Sequence, residues 1–303
     1  HGNHDIFDLK SAIEEGKITW DQQVQINEYV HNLSKAPDLS NVGLTQGEYY
    51  TVKELYEAMA IFSGNAATVA LAEVVSGSES KFVELMNEKA AELGLEDYKF
   101  VNSSGLNNSN LLGNIPAGGE NEENVMTARD TAKLAYHLLN DFPEVLETSS
   151  KSSLNFKDGR EYKNFNWMLP GLIFAYEGVD GLKTGSTDFA GFCFTATAER
   201  DGQRYISVVM KSTTKNERFA DTTKLLNYAF SSFDKEELVK EGYVPKKDNT
   251  VAVDKGKEDS VKVETSEALD LVIEKGTAKD YKTIVVIDKD KLNKDGELTA
   301  PIK

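Results

Sequence analysis

Two short polar segments carry residue types that can do chemistry on a peptide. Ser63-Gly64-Asn65 offers a hydroxyl and an amide, and Lys183-Thr184-Gly185 follows 120 residues later with an amine and a second hydroxyl. A lysine and a threonine hydroxyl can hold a carboxylate, and a glycine on an edge strand lets a substrate approach the backbone. Each segment alone also has a structural explanation. Ser63 and Asn65 could cap a helix, and Lys183 could be a solvated lysine before a turn.

The surrounding elements predict a helical block followed by a sheet. Apolar residues at helical spacing, together with helix caps, predict helices over about 6–15, 51–62, 66–75, 80–93 and 127–139. Residues 179–184, 192–199 and 204–211 read as strands, and Asp201-Gly202 predicts a hairpin between the last two. A further helix over 219–230 would cover the sheet. The fold class is therefore α+β, with helices packed on a mainly antiparallel sheet.

The chain divides by composition into two domains. From about residue 235, Val and Ile alternate with charged residues at 250–253, 261–264, 269–272 and 283–287. This period of two predicts a small all-β domain over 235–303 after a first domain over 1–234, and we expect the second one to be incomplete. Residues 102–124 are crowded with Asn, Gly and Ser, which predicts a functional or mobile loop.

Charge and composition exclude several classes of function. The 303 residues carry 34 Lys and Arg against 50 Asp and Glu, a net charge of −16, and the pI is about 4.8. Such a surface repels phosphate, so we expect no nucleic acid partner. No run approaches the roughly 20 apolar residues of a membrane span. The only cysteine, Cys193, excludes a metal site built from several thiolates.

The two triplets, in this order, resemble motifs of penicillin-binding proteins and class A β-lactamases. Segments at 39–42, 50–55, 100–106, 127–130 and 181–188 resemble successive landmarks of the low-molecular-mass penicillin-binding proteins of the D-alanyl-D-alanine carboxypeptidase type, especially those of Gram-positive bacteria. The resemblance covers nearly the whole chain. The β-lactamases are disfavoured because the extra β-rich domain resembles carboxypeptidases.

The resemblance implies a penicillin-binding-protein fold and a serine-type D-Ala-D-Ala carboxypeptidase in cell-wall biogenesis. Such an enzyme removes the terminal D-alanine of peptidoglycan stem peptides through an acyl-enzyme, is acylated by β-lactam antibiotics, and uses no cofactor. The resemblance also implies an exported protein at the outer face of the cytoplasmic membrane or in the cell wall. Its membrane contact would be a C-terminal anchor that is absent from this chain.

Matched position by position, the resemblance implies catalytic roles for two residues. Ser63 would relay protons to or from the leaving group, and Lys183 would supply a positive field at the site.

Five further residues would bind the substrate. Asn65 would hold its amide, Thr184 its terminal carboxylate, and Gly185 would let it approach the strand. The backbone N–H of Ser186 would form half of the oxyanion hole. Arg218 would occupy the family's second carboxylate-binding position, or else would be an exposed arginine at a helix start.

The family's nucleophile and base come from Ser-x-x-Lys on a helix, and this motif is absent where it belongs. Alignment of residues 12–17 with the end of that helix places the lysine near Gly2 and the serine before residue 1. Matches at 78–81, 212–215 and 232–235 lie in turns or at element ends, and we interpret them as decoys. We therefore expect this chain to be inactive as given, through truncation, misjoining or natural loss. The alternative is a non-catalytic homologue that binds peptidoglycan.

The first five residues, His1-Gly2-Asn3-His4-Asp5, resemble the Gly-Asn-His-Asp block of metallophosphoesterases. That site needs further Asp and His ligands, and the remaining histidines, His31 and His137, stand alone in the sequence. We therefore favour a foreign or misjoined segment over a metal site.

Overall fold

A computed structural model describes residues 3–246, 249–252, 258 and 260–284 of the chain. By internal contacts the chain divides into two units, His1–Asn227 and Tyr228–Lys303. The domain boundary predicted from composition lies between residues 234 and 235, a few residues after this division between the units. It stays a prediction. Each unit is described by itself below.

Eight α-helices and thirteen strands are found in the described residues. The helices are α1 Asn3–Glu14, α2 Glu28–Ser34, α3 Val52–Phe62, α4 Asn65–Ser76, α5 Glu79–Glu92, α6 Ala128–Asp141, α7 Val145–Ser149 and α8 Lys215–Ser232. The strands are β1 Gln23–Gln25, β2 Tyr49–Thr51, β3 Tyr98–Lys99, β4 Val125–Met126, β5 Ser153–Asn155, β6 Glu161–Lys163, β7 Val179–Thr187, β8 Gly191–Arg200, β9 Gln203–Ser212, β10 Phe233–Val239, β11 Thr250–Ala252, β12 Ser260–Lys262 and β13 Leu269–Glu274. None of the helices described is both long and apolar enough to cross a membrane.

Helix α4 lies at the centre of the helical block, because its own residues are buried on every side of the helix and other helices pack around it. Every residue from Asn65 to Ala72 is buried, and the helix contacts α1, α2, α3 and α5. A helix that is apolar all round must be covered by other elements. The helices predicted in this block, α1, α3, α4 and α5, are confirmed.

Helix α3 begins with the capping box that the sequence predicts. The Thr51 hydroxyl accepts a hydrogen bond from the Glu54 N–H at 3.0 Å, and the Glu54 carboxylate accepts one from the Thr51 N–H at 2.9 Å. These bonds satisfy two otherwise free N–H groups and fix where the helix starts. The helix then ends eleven residues later, at Phe62.

The main sheet has the order β7-β8-β9 and is antiparallel throughout. Asp201 and Gly202 join β8 to β9 with φ of 50° and 78°, the positive values that a tight hairpin turn requires. Lys183 pairs with Thr195 of β8, and β7 has no strand on its other side among the described residues. The predicted hairpin and the edge position of Lys183 are both confirmed.

After the end of α8, the second unit is built mainly from strands in the part that is described. Strand β10 pairs with β13 and β11 pairs with β12, both antiparallel, and a short 3-10 helix follows at Ala278–Asp280. The α+β class and the all-β second domain are confirmed. Most of the fourth predicted strand, 283–287, lies outside the described residues, as does the end of the chain on which the expected incompleteness depends.

The polar loop at 102–124 is held in place by asparagine side chains, of which Asn102 and Asn108 are buried. The Asn102 Nδ2 donates to Leu106 O at 2.7 Å and to Asn108 Oδ1 at 2.9 Å. The Asn124 Oδ1 accepts from the N–H groups of Val101 and Asn102 at 2.7 and 3.1 Å. Asparagine supplies both a donor and an acceptor, so a few side chains can satisfy the backbone of a segment without regular structure.

Candidate active site

One cavity of about 170 Å³ in the first unit brings both triplets together. It is lined by all seven residues selected from the sequence: Ser63, Asn65, Lys183, Thr184, Gly185, Ser186 and Arg218. Three elements position them. The α3–α4 junction carries the first two, β7 carries the next four, and the first turn of α8 carries Arg218. The placement is observed, whereas the role of each residue remains a prediction.

Ser63 lies at a sharp junction between two helices. It ends α3 in the left-handed conformation, with φ 54° and ψ 39°. Gly64 follows because a side chain there would lie 3.3 Å from the Ala58 carbonyl oxygen, which accepts the Gly64 N–H at 3.0 Å. Gly64 is the N-cap of α4, and no side chain caps it. The capping explanation of Ser63 and Asn65 is therefore wrong.

Asn65 is fixed by the neighbouring segment that contains Ser40. Its backbone N–H and its Nδ2 both donate to the Ser40 carbonyl oxygen, at 3.0 and 2.9 Å. The Oδ1 accepts no hydrogen bond from the described residues. Asn65 is therefore oriented from one side and keeps a free acceptor in the cavity.

Lys183 connects the two triplets. Its Nζ donates to the Ser63 Oγ and, at 2.8 Å, to the Thr184 carbonyl oxygen. The pKa of Lys183 is lowered to about 8, chiefly because burial disfavours the charged amine and next because of the Arg218 charge, while Asp5 opposes the shift. The alternative of a solvated lysine before a turn is wrong. The amine is poised to exchange a proton with a hydroxyl.

Arg218 is a buried cation rather than an exposed residue at a helix start, which corrects that alternative. It is 3% exposed, and its guanidinium lies 4.9 Å from the ring of Phe219 and 5.7 Å from that of Phe192. Its Nε has no hydrogen-bond partner among the described residues. Burial lowers its pKa to about 10. A guanidinium without a carboxylate is suited to bind one from a ligand.

Asp5 lines the same cavity and was not selected from the sequence. It lies in the first turn of α1, is 3% exposed, and its Oδ1 has no hydrogen-bond partner among the described residues. The pKa of Asp5 is raised well above its usual value, mainly by burial and also by Asp8 and Glu79, whereas the positive charge of the chain's amino terminus and, less strongly, that of Lys183 lower it.

The position of Asp5 differs from the expectation for the start of the chain. The sequence predicts a foreign or misjoined segment at residues 1–5 and places the family's lysine near Gly2, which lies outside the described residues. The available signal was helical spacing, because Asp5 lies four residues before the buried Leu9 on the apolar stripe of α1.

Other cavity residues come from segments that carried weaker signals. Leu39, Ser40, Gly105 and Leu106 line the cavity and belong to segments that matched family landmarks. The loop predicted as functional or mobile therefore borders the cavity. Phe165 also lines it, and no sequence pattern pointed to that residue.

The three serines of the decoy motifs are not among the described residues that line the cavity. Ser78 caps α5 by accepting a hydrogen bond from the Lys81 N–H at 3.2 Å. The Ser212 Oγ donates to Asp221 at 3.3 Å, and Ser232 ends α8. Within the described ranges no three His, Cys, Asp or Glu side chains are grouped to hold a metal ion.

Known proteins resemble the chain in sequence and in fold. A sequence profile described as D-alanyl-D-alanine carboxypeptidase matches residues 8–214, and one described as penicillin-binding protein 5, C-terminal domain, matches residues 233–303. The D-alanyl-D-alanine carboxypeptidase DacF of Bacillus subtilis is 36% identical over 272 residues, which cover 88% of this chain and 64% of that protein. The chain thus spans less than two thirds of the length of this curated relative.

Two solved structures show the same fold. A peptidoglycan synthesis regulatory factor (PBP3) from Streptococcus pneumoniae is 36% identical with a TM-score of 0.84, covering 91% of this chain and 77% of that one. Penicillin-binding protein D2 from Listeria monocytogenes, in its cefotaxime-bound form, is 32% identical with a TM-score of 0.64, covering 76% and 85%.

Proposed function

Because the chain belongs to the D-alanyl-D-alanine carboxypeptidase family, we propose that the protein is a serine-type D-Ala-D-Ala carboxypeptidase of cell-wall biogenesis. It removes the terminal D-alanine of a peptidoglycan stem peptide through an acyl-enzyme and needs no cofactor. The observation that carries the proposal is the contact of Lys183 with Ser63, in a cavity that also holds Thr184 and the unpartnered Arg218.

The substrate binds along the free edge of β7. Its terminal carboxylate accepts hydrogen bonds from the Thr184 hydroxyl and the Arg218 guanidinium. Both bonds are charge-assisted, because the carboxylate is ionised. Gly185 allows close approach to the strand, and the Ser186 backbone N–H supplies half of the oxyanion hole. The free Oδ1 of Asn65 accepts the substrate's amide N–H.

Ser63 and Lys183 move the proton of the reaction. During acylation a serine oxygen bonds to the carbonyl carbon, the C–N bond breaks, and the serine's proton reaches the leaving D-alanine amine through the Ser63 hydroxyl. Lys183 lies against that hydroxyl with a pKa of about 8, so it can supply or accept a proton near neutral pH. Water then hydrolyses the ester and restores the serine.

We propose that the 303-residue chain is not itself acylated. No serine followed by a lysine three residues later lines the cavity in the described part of the chain. β-Lactam antibiotics bind the same cavity once that motif is present, as cefotaxime binds the Listeria relative. The protein is exported and acts at the outer face of the cytoplasmic membrane, where a C-terminal anchor would hold it.

The proposal predicts that the double variant Gly2→Ser/Asp5→Lys gains acylation by benzylpenicillin. Position 5 lines the cavity with Ser63 and Lys183, and a serine three residues before a lysine restores the sequence spacing of the family's nucleophile and base. Intact mass after incubation should show one penicilloyl adduct, which peptide mapping should locate at position 2. The same variant should release D-alanine from a peptide that ends in D-Ala-D-Ala.

Two controls distinguish a carboxypeptidase from a non-catalytic homologue that only binds the peptide. The unchanged chain should show no adduct, and adding Lys183→Ala to the double variant should abolish acylation without loss of fold. A stoichiometric adduct on the unchanged chain would contradict the inactivity of the chain. A folded double variant that binds the dipeptide without ever being acylated would support the non-catalytic binding homologue instead.

A further inference from the structure

A second cavity, of about 230 Å³, borders the same part of β7 as the active-site cavity. Residues 183–185 line both cavities. Most of the remaining wall comes from residues 123–126, 193–195 and 208–211, and we call this second cavity the apolar pocket. A ligand that binds along β7 in the active-site cavity therefore contacts residues that also form the wall of the apolar pocket.

The wall of the apolar pocket is mainly apolar, and solvent reaches it from one side. Phe194 is a buried residue of this wall, whereas the Phe189 side chain is 68% exposed. Val125 and Met210 are exposed as well, and so is Lys211, whose amine lies 6.0 Å from the Phe189 ring. Exposed apolar side chains gathered around a concave site often mark a place where a ligand binds. An apolar cavity of about 150 Å³ holds benzene, so this pocket has room for an aromatic ring or a branched aliphatic group.

A carboxylate and an amide in the wall of the apolar pocket already have partners within the protein. Glu123 accepts hydrogen bonds from the Thr187 hydroxyl at 2.6 Å and from the Asn107 Nδ2 at 3.3 Å. The Asn124 side chain bonds the backbone of residues 101 and 102. A polar group of a ligand would find these side chains occupied, whereas an apolar group gains by leaving water. The pocket is therefore suited to an apolar group.

The carboxylate end of the ligand points away from the apolar pocket. Arg218, which the proposed function assigns to that carboxylate, lines the active-site cavity and is not among the described residues that line the apolar pocket. The same holds for Asn65, which is assigned to the substrate's amide. Thr184 lines both cavities, so the position of Arg218 decides the direction. A group that enters the apolar pocket must come from the amino side of the terminal dipeptide.

We propose that the apolar pocket binds an aromatic or branched aliphatic group carried on the amino side of the terminal D-Ala-D-Ala. The carboxylate end rests on the proposed function, and the second subsite goes beyond it. A stem peptide is acylated at the amino side of this dipeptide, so the inference agrees with the substrate of the proposed function. Phe189 and Met210 are specificity-determining residues, because they form the exposed part of the wall.

Two acylated dipeptides test the subsite by titration calorimetry at pH 7. N-Phenylacetyl-D-alanyl-D-alanine and N-acetyl-D-alanyl-D-alanine carry the same charge and differ only by the phenyl ring. The unchanged protein should bind the phenylacetyl peptide about tenfold more tightly, because the ring leaves water. The double variant Phe189→Ala/Met210→Ala should reduce this ratio to about threefold or less, since it removes the exposed part of the wall. Ile173→Ala removes a similarly exposed apolar side chain that lines neither cavity, so it should keep the tenfold ratio.

Cys193 can report where the ring binds. It lines the apolar pocket, is partly exposed and is the only cysteine of the chain. The protein is saturated with each peptide in turn and treated with iodoacetamide, and intact mass gives the labelled fraction with time. The phenylacetyl peptide should slow the labelling about threefold or more relative to the acetyl peptide, because the reaction depends on access to the thiol.

Equal affinities of the unchanged protein for the two peptides would overturn the inference while leaving the carboxylate site intact, and this measurement needs no variant. A tenfold preference without slower labelling of Cys193 would show that the ring binds elsewhere, which overturns the inference as well. An unchanged ratio in the double variant would have the same meaning. Failure of both peptides to bind would instead refute the carboxylate site and, with it, the proposed function.

Discussion

The Arg218 guanidinium combines its proposed binding role with a cost to the folded state. It is buried against Phe192 and Phe219, and no carboxylate among the described residues pairs with it. The lowered pKa means that the folded protein disfavours the charged form, which the unfolded chain keeps in water. A side chain retained under these conditions is better explained by a ligand than by stability.

Arg218→Met should therefore stabilise the protein while weakening ligand binding. Replacing a buried ionic side chain by an apolar one is worth up to about 1–4 kcal/mol, so the melting temperature should rise by at least about 2 °C. Binding of N-acetyl-D-alanyl-D-alanine should weaken by about tenfold or more. Scanning fluorimetry and titration calorimetry measure the two effects. Arg129→Met, at an exposed position of α6, should change neither, and a lower melting temperature for Arg218→Met would contradict the argument.

At the scale of single residues, the sequence could predict cavity residues that belong to a motif but not those that stand outside one. The sequence points to Ser63, Lys183 and Thr184 because they belong to two triplets that resemble family motifs. All three line the cavity. Asp5 was missed because its segment resembled a different motif. The burial of Arg218 could not be predicted from its neighbours in sequence alone, since it depends on Phe192 of β8 as well as on the adjacent Phe219.

At the scale of elements, the first turn of α5 connects the helical block to the polar loop. The Glu79 side chain is buried and accepts a hydrogen bond from the Ser103 hydroxyl at 2.8 Å. Burial raises the pKa of Glu79 to about 7, although the Ser103 hydrogen bond opposes the shift. The folded protein therefore holds a proton on Glu79 over a range in which the unfolded chain has lost it.

This difference predicts that Glu79 reduces stability as the pH rises. Between pH 4.5 and about 7 the unfolded state binds fewer protons than the folded state, so the free energy of unfolding falls with pH. The loss attributable to Glu79 is at most about 3 kcal/mol. Glu79→Gln, which can still accept from Ser103, should remove this loss and melt higher than the unchanged protein at pH 8. Glu88→Gln, exposed on the same helix, should keep the original pH profile. A parallel pH profile for Glu79→Gln would contradict the prediction.

Element length decided what the sequence could predict. Helices α1, α3, α4, α5, α6 and α8 and strands β7 to β9 are long enough to show their periods, and all were predicted. Strands β1 to β6 have two or three residues each and stand alone between other elements, whereas the equally short β11 and β12 lie in a stretch where Val alternates with other residues over a longer span. Strand β10 was missed because charged residues occupy most of its positions.

At the scale of the whole molecule, the cavity belongs to one of the two units. Every residue that lines it precedes residue 228, where the second unit begins. A unit with its own buried core can fold without its neighbour. The motif resemblance extended over nearly the whole chain, and the family it indicated is confirmed by the match over residues 8–214.

A chain that ends after Ser232, the last residue of α8, should therefore keep the site. We expect it to bind N-acetyl-D-alanyl-D-alanine within about twofold of the full chain and to unfold in one cooperative transition by calorimetry. Since α8 stays whole, Arg218 keeps its support. An insoluble product, or a truncated chain that fails to bind the dipeptide, would show that the first unit depends on the second.

The free edge of β7 also bears on how the molecule behaves at high concentration. An edge that can accept a peptide can equally accept a strand from another copy, which is how many proteins begin to aggregate. Lys183 places a charge at this edge, and its bond to Ser63 holds the α3–α4 junction beside it. The net charge of −16 adds repulsion between copies. Residues that we propose to bind the ligand should thus also oppose strand-to-strand association between copies.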